Sequence, residues 1–164
     1  MSVRAIVRFP DARLREPATE IHVFDDALRA LAQDLIDTLT SVSAIGITGP
    51  HIGVASRMVV LRIDPALPPK VYVNPRVLRV SEETARHTEG SISMPGITAE
   101  IVRAATVRVS YRTLDGVEQT EEATGFHAAC HLHEIDQLDG IFWLQRLSAL
   151  QRERLVNKFR KREG

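Results

Sequence analysis

The chain has 164 residues, 44% hydrophobic and 26% charged, which suits one globular domain over residues 1–164 with a sizeable core and argues against disorder. Lys and Arg total 21, as do Asp and Glu, so the balance offers no global attraction for nucleic acid or an anionic membrane, and neither DNA nor a membrane is an expected partner. No apolar run reaches the ~20 residues a spanning helix needs, Met1-Ser2-Val3-Arg4 lacks a signal-peptide apolar stretch, and the single Cys130 rules out an intrachain disulfide; a cytoplasmic protein is expected.

Phe9 to Pro17, with a proline at each end region, reads as an irregular arm. Phe24, Leu28, Leu31, Leu35 and Leu39 then recur at helical spacing, with Asp25 and Asp26 suiting a helix N-terminus, and predict a helix over about 25–40. Ala44 to Gly53 reads as a glycine-rich turn leading into a strand. Met58 to Ile63 and Lys70 to Val73 are short β-branched runs separated by a proline-rich turn. Thr106 to Thr113 alternates with period two, and Asp115-Gly116 folds it back as a hairpin into Val117 to Thr124, where Gly125 ends the strand. Phe126 to about Leu138 is apolar on all sides, as a buried helix would be, and Leu147 to Phe159 has helical spacing again.

Within the buried helix, Cys130-His131-Leu132-His133-Glu134-Ile135-Asp136-Gln137 comes one residue short of HExxH. That motif sets two imidazoles at i and i+4 on one helix face around a divalent metal, with the Glu as general base for the metal-bound water. His133 and Glu134 are present, but the second ligand position holds Gln137, whose neutral amide is a far weaker donor.

Three segments occur in order: Ala44-Ile-Gly-Ile-Thr-Gly-Pro-His51, Glu89-Gly-Ser-Ile-Ser93 and the helix through to Gly140-Ile141-Phe142. Together they resemble the signatures of the peptide deformylase family, approximately GxGLAAPQ, EGCLS and QHExDHLxG, and the likeness extends from Arg13 to the last helix. It implies an α+β fold: mixed β-strands around a central HExx(H/Q) helix, with an N-terminal and a C-terminal helix. Such enzymes remove the formyl group from N-terminal formyl-methionine, using a metal held by one Cys and two His. Carried over by position, the resemblance puts the metal ligands at Ser91, His133 and Gln137 and the general base at Glu134. It puts the oxyanion partner at His51, with Gly46, Ile47 and Ile92 at the substrate. Leu132 stands where the family has Gln, and Thr98 where many members carry Arg.

A cysteine ligand binds as thiolate, whereas Ser91 must bind as a neutral hydroxyl or lose a proton of very high pKa. With two of three ligands weakened, the expectation is at most one weakly held Zn or Fe ion, or none, with weak or no deformylase activity. The alternative is a rearranged centre in which His51 joins His133 and Gln137, with Glu134 near, as an active hydrolase. Without a metal, His51 is expected to hydrogen-bond Glu134 or Gln137, and Glu134 to pair with a histidine or be protonated. The implied partner is an N-formyl or N-terminal methionyl peptide.

His127 and His131 form another i, i+4 pair, but its middle lies roughly 120° around the helix from that of the His133 and Gln137 pair, so these two read as core or strand-facing groups. His87 reads as surface and Cys130 as a small core residue. The basic end Lys158 to Arg162 either meets the ribosome, as the last helix does in some deformylases, or complements the helix dipole.

Overall fold

The leucine repeat becomes helix α1 (Asp26–Ser41) in the computed structural model, which describes residues 2–164. Asp25 is its N-cap and accepts the Leu28 backbone N–H, satisfying one of the donors a helix start leaves open. Leu28, Ala32, Leu35 and Leu39 bury one face against β1 (Gly46–Thr48) and β2 (Met58–Leu61). The glycine-rich segment reverses the expected order: its strand comes first, and Gly49–Ile52 then forms a 3-10 turn whose cap is Thr48.

After β2 come β3 (Lys70–Val80), β4 (Thr84–Gly90), β5 (Thr98–Ala104), β6 (Thr106–Arg112) and β7 (Glu118–Thr124). Strands β1-β2-β3-β6-β7 make one sheet in that order and β4-β5 a separate ribbon. All the ladders are antiparallel. Strand β3 runs well past Val73 despite Pro75, because its register against β6 shifts between Val73 and Arg76. At that break Asn74 takes φ +50°, and its side chain makes two hydrogen bonds to the Ile21 backbone. The missing strand donor therefore falls where the ladder is already interrupted.

Helix α2 (Gly125–Leu138) lies against the five-stranded sheet. Ala128 and Ile135 pack on Val107 and Val109, and Leu138 packs on Tyr72 and Tyr111. Its second half is buried, whereas Phe126 in the first turn is 42% exposed, so the helix is submerged at one end only. Gly140 follows at φ +79°, and a Cβ there would meet the Arg15 carbonyl at 2.6 Å.

That close approach seats the N-terminal arm. The arm is partly ordered rather than irregular, with a 3-10 turn at Ala12–Arg15 started by the Asp11 carboxylate, and its Ala18 N–H donates to the Leu138 carbonyl at 2.7 Å. Helix α3 (Ala149–Glu163) starts at the Ser148 cap and buries Phe159 with Phe9 and Phe142 in a second core that includes Met94, Ile97 and Trp143. Among the described residues, no helix is long and apolar enough to cross a membrane.

Candidate functional site

Where β1, the start of the 3-10 turn, the end of β4 and α2 meet, they enclose a pocket of about 350 Å³. Its wall includes Gly46, His51, Ser91, Ile92, His133 and Glu134, so most of the residues singled out in the sequence come together. Ile47 does not: alternation along β1 turns its side chain into the core beneath α1, where it is fully buried. Cys130 is half-buried, packed against the core around Tyr72 and Leu138 as expected and also lining the pocket wall. Burial and the nearby Glu134 and Glu89 carboxylates push its thiol up to about 12, which leaves it unreactive near neutral pH.

Glu134 reaches the pocket because Gly46 has no side chain. A Cβ on Gly46 would lie 2.2 Å from Glu134 Oε2. Glu134 Oε1 is buried without a hydrogen-bond partner and lies 4.0 Å from His133 Nε2. Burial raises the carboxyl above its ordinary range, against the pull of His133.

Behind this pair runs a line of buried charge. His133 Nδ1 is 2.8 Å from Glu89 Oε1, and Arg103 bonds Glu89 through Nε at 2.6 Å and Nη2 at 2.9 Å. Arg103 also reaches Asp136 at 2.9 Å, and Arg146 closes on both oxygens of Asp136. Burial opposes the charge on Glu89, but the His133 and Arg103 hydrogen bonds and the Arg103 charge outweigh it and hold the carboxyl at about 2. The same ionised Glu89 fixes the His133 ring with its Nδ1–H on Glu89 and its Nε2 on the side of Glu134. Burial lowers the His133 imidazole, yet Glu134 and Glu89 more than offset this and leave it raised.

His51 contradicts its expected bonding. It pairs with neither Glu134 nor Gln137: its Nδ1 accepts the Thr48 N–H at 3.0 Å and lies 2.9 Å from the Thr48 hydroxyl, because the tight turn folds the ring back on its own cap. A neutral ring whose Nδ1 accepts a backbone N–H carries its proton on Nε2. Burial, and then the charge of His133, hold His51 down to about 3, so the ring is neutral. His51 Nε2 is buried without a partner and is therefore an N–H donor turned to the pocket, not a lone pair.

Gln137 is absent from the pocket wall. Its amide Nε2 donates to the Leu14 carbonyl at 2.7 Å, tying the helix to the arm across a separation in sequence that no local pattern reveals. Ser91 Oγ accepts the Ser93 N–H at 3.1 Å.

At the three ligand positions the resemblance names, the structure places a hydroxyl, an imidazole and an amide, and the amide is turned away from the pocket. Ser91 offers a hydroxyl, Gln137 is engaged elsewhere and His51 presents a proton. Among the described residues, His51, His133 and Glu134 do not bring a ligand atom each within 4.8 Å of one another.

A different triad does converge. His127 and His131 face β7, as their position on the helix predicted, and meet Glu121 there. His87 is not fully at the surface: its ring packs edge-on against Phe126 at 6.1 Å.

These titrations set an acid limit on stability. The unfolded chain takes up a proton at His51 near 6.5, whereas the folded protein does so only near 3. The His51 contribution to stability should therefore be lost as pH drops below 6.5, opposed by His133 and Glu134, whose raised values make the folded protein take up their protons more readily than the unfolded chain. Glu89 adds a contribution present above 4.5 and lost as pH falls toward 2. Read as urea midpoints, the parent should lose stability relative to His51→Gln as pH falls from 6 to 4, because only the parent carries the ring that resists protonation. An unchanged slope between pH 6 and 4 in His51→Gln would show that the ring is not held neutral.

The family description "Polypeptide deformylase" matches residues 3–153, and the chain belongs to the polypeptide deformylase family. It is 55% identical over 161 residues to "Peptide deformylase-like" of Brucella melitensis, covering 98% of both chains. To "Peptide deformylase" of Brucella suis it is 37% identical over 164 residues, covering 98% of this chain and 94% of the other. The crystal structure of peptide deformylase from Ehrlichia chaffeensis in complex with actinonin superposes with a TM-score of 0.94 at 32% identity, over 99% of each chain. The fold is the peptide deformylase fold.

Proposed function

We propose that the chain is a cytoplasmic, single-domain deformylase-like protein that binds N-formyl or N-terminal methionyl peptides in its pocket and has weak or no deformylase activity. The observation that carries this reading is that two buried groups of residues lining the pocket, the His51 Nε2–H donor and the Glu134 Oε1 acceptor, have no hydrogen-bond partner in the protein. A free donor and a free acceptor lining one pocket complement a formamide, whose carbonyl accepts and whose N–H donates, and Ile45, Ile92 and Phe126 on the same wall suit a methionine side chain. Catalysis lacks support for the complementary reason: a metal would supply both nucleophile and electrophile in this family, and the ligand positions are not set to hold one. The weak or metal-free site expected from Ser91 and Gln137 is retained. The basic end of α3 remains the surface through which a ribosome contact would be made.

The second reading, an active hydrolase centred on His51 and His133, would require His51 to give up its Thr48 hydrogen bond or its Nε2 proton. Titration of formyl-Met-Ala-Ser by calorimetry and release of formate from it separate the two. Saturable binding weakened about tenfold by His51→Ala, with formate release several orders of magnitude below an ordinary deformylase, is the expected result. Turnover comparable to an ordinary deformylase and abolished by Glu134→Gln would overturn the binding reading.

A further inference from the structure

Three metal-ligating side chains lie together on the face of α2 opposite to the pocket's His133. His127 and His131 are one turn apart with rings stacked at 4.9 Å, and Glu121 faces them from β7. Glu121 Oε2 is 2.7 Å from His131 Nε2 and 3.6 Å from His127 Nε2. One ligand atom from each of the three lies within 4.8 Å of the others.

We propose that Glu121, His127 and His131 form a binding site for a divalent transition-metal ion such as Zn²⁺, separate from the deformylase pocket. In a tetrahedral zinc site with bonds of about 2.0–2.1 Å, ligand atoms stand about 3.3 Å apart, so a small shift of the three groups admits the ion. Two imidazoles and one carboxylate are a recurrent zinc set that leaves a fourth position open. Side-chain exposure of 31% at His127 and 17% at Glu121 lets water fill that position, while His131, 1% exposed, anchors the site.

The protonation states suit an ion. His127 Nε2 is buried without a hydrogen bond, and burial, followed by the neighbouring His131, keeps its imidazole below the ordinary range. The neutral ring can therefore offer its lone pair. Burial opposes the charge on Glu121, but hydrogen bonds from His131, Lys70 and Tyr72 outweigh it and keep the carboxyl well below its ordinary range. Entry of the ion takes the place of the hydrogen bond between His131 and Glu121.

Lys70 is the built-in opponent. Its ammonium contacts Glu121 Oε1 at 2.6 Å, on the oxygen the histidines do not use. It neutralises the carboxylate and repels an incoming cation. Lys70 and Tyr72, which donates to Oε2 at 2.7 Å, hold the site weak, and removing the Lys70 charge should strengthen it by at least about tenfold.

The test uses the full-length, untagged protein titrated with Co²⁺ while its visible absorption is followed, with Zn²⁺ as competitor. One equivalent with the intense bands of low coordination is expected, displaced by Zn²⁺. It should be lost in His127→Ala, tightened in Lys70→Met and unaffected by His133→Ala. Because His127 is partly exposed, His127→Ala should keep its far-UV circular dichroism; His131→Gln provides a second ligand deletion. Absence of Co²⁺ bands up to millimolar concentration overturns the proposal. So does binding that persists in both His127→Ala and His131→Gln, or that vanishes in His133→Ala.

Discussion

Arg103→Met is expected to lower the unfolding free energy by about 3–5 kcal/mol, because it leaves buried charges without their partner. Arg103 is 7% exposed and holds Glu89 and Asp136 at once. Arg146 still grips Asp136 and His133 still touches Glu89, which keeps the loss at that magnitude. Denaturant midpoints check it. The double change with Glu89→Gln should be less damaging than the sum of the singles, by about 1–3 kcal/mol, since both disturb one interaction. A loss under about 1 kcal/mol would mean that water reaches these charges, as in a surface pair.

Ser91→Cys combined with Gln137→His is expected to create a metal site in the pocket and raise formyl-Met-Ala-Ser hydrolysis by at least about a hundredfold over the parent. His133 is already held by Glu89, Glu134 is beside it, and position 137 is one turn further along α2. The change has a structural cost: it takes the Gln137 amide from the Leu14 carbonyl, and leaving that acceptor unmade costs about 1–3 kcal/mol. Made in a His127→Ala background, the variant reports on the pocket alone. Metal content should rise by one equivalent and fall again with His133→Ala. Adding His51→Gln should raise the rate further by removing the bulk of the ring. A folded double variant with no added metal would mean that the backbone, not only the ligands, has moved.

Periodic features were legible in the sequence. The α1 leucines, the β6-β7 hairpin and α2 with its His133-Glu134 pair all follow from local spacing, and the three segments around the pocket were identifiable together. The β4-β5 ribbon was not, because Thr84 to Gly90 buries only Glu89 and its polar alternation imitates a loop. Nor was the role of Gln137, which depends on Leu14, far away in the chain. His51 lines the pocket but makes neither of the expected hydrogen bonds: a resemblance supplies a position in the sequence, whereas the bonding is set by Thr48, which the tight turn brings under the ring. The Arg103 line needs β4, β5, α2 and the turn that carries Arg146 to meet, and no window of sequence contains them.

Fastened by Gln137 to Leu14 and by Ala18 to Leu138, the arm and the end of α2 share one opening event. Amide exchange at Ala18 and at the last turn of α2 should slow or quicken in step. A protease nick near Arg13 would then loosen the helix that carries His133, making the arm a mechanical latch whose cutting is felt in the pocket.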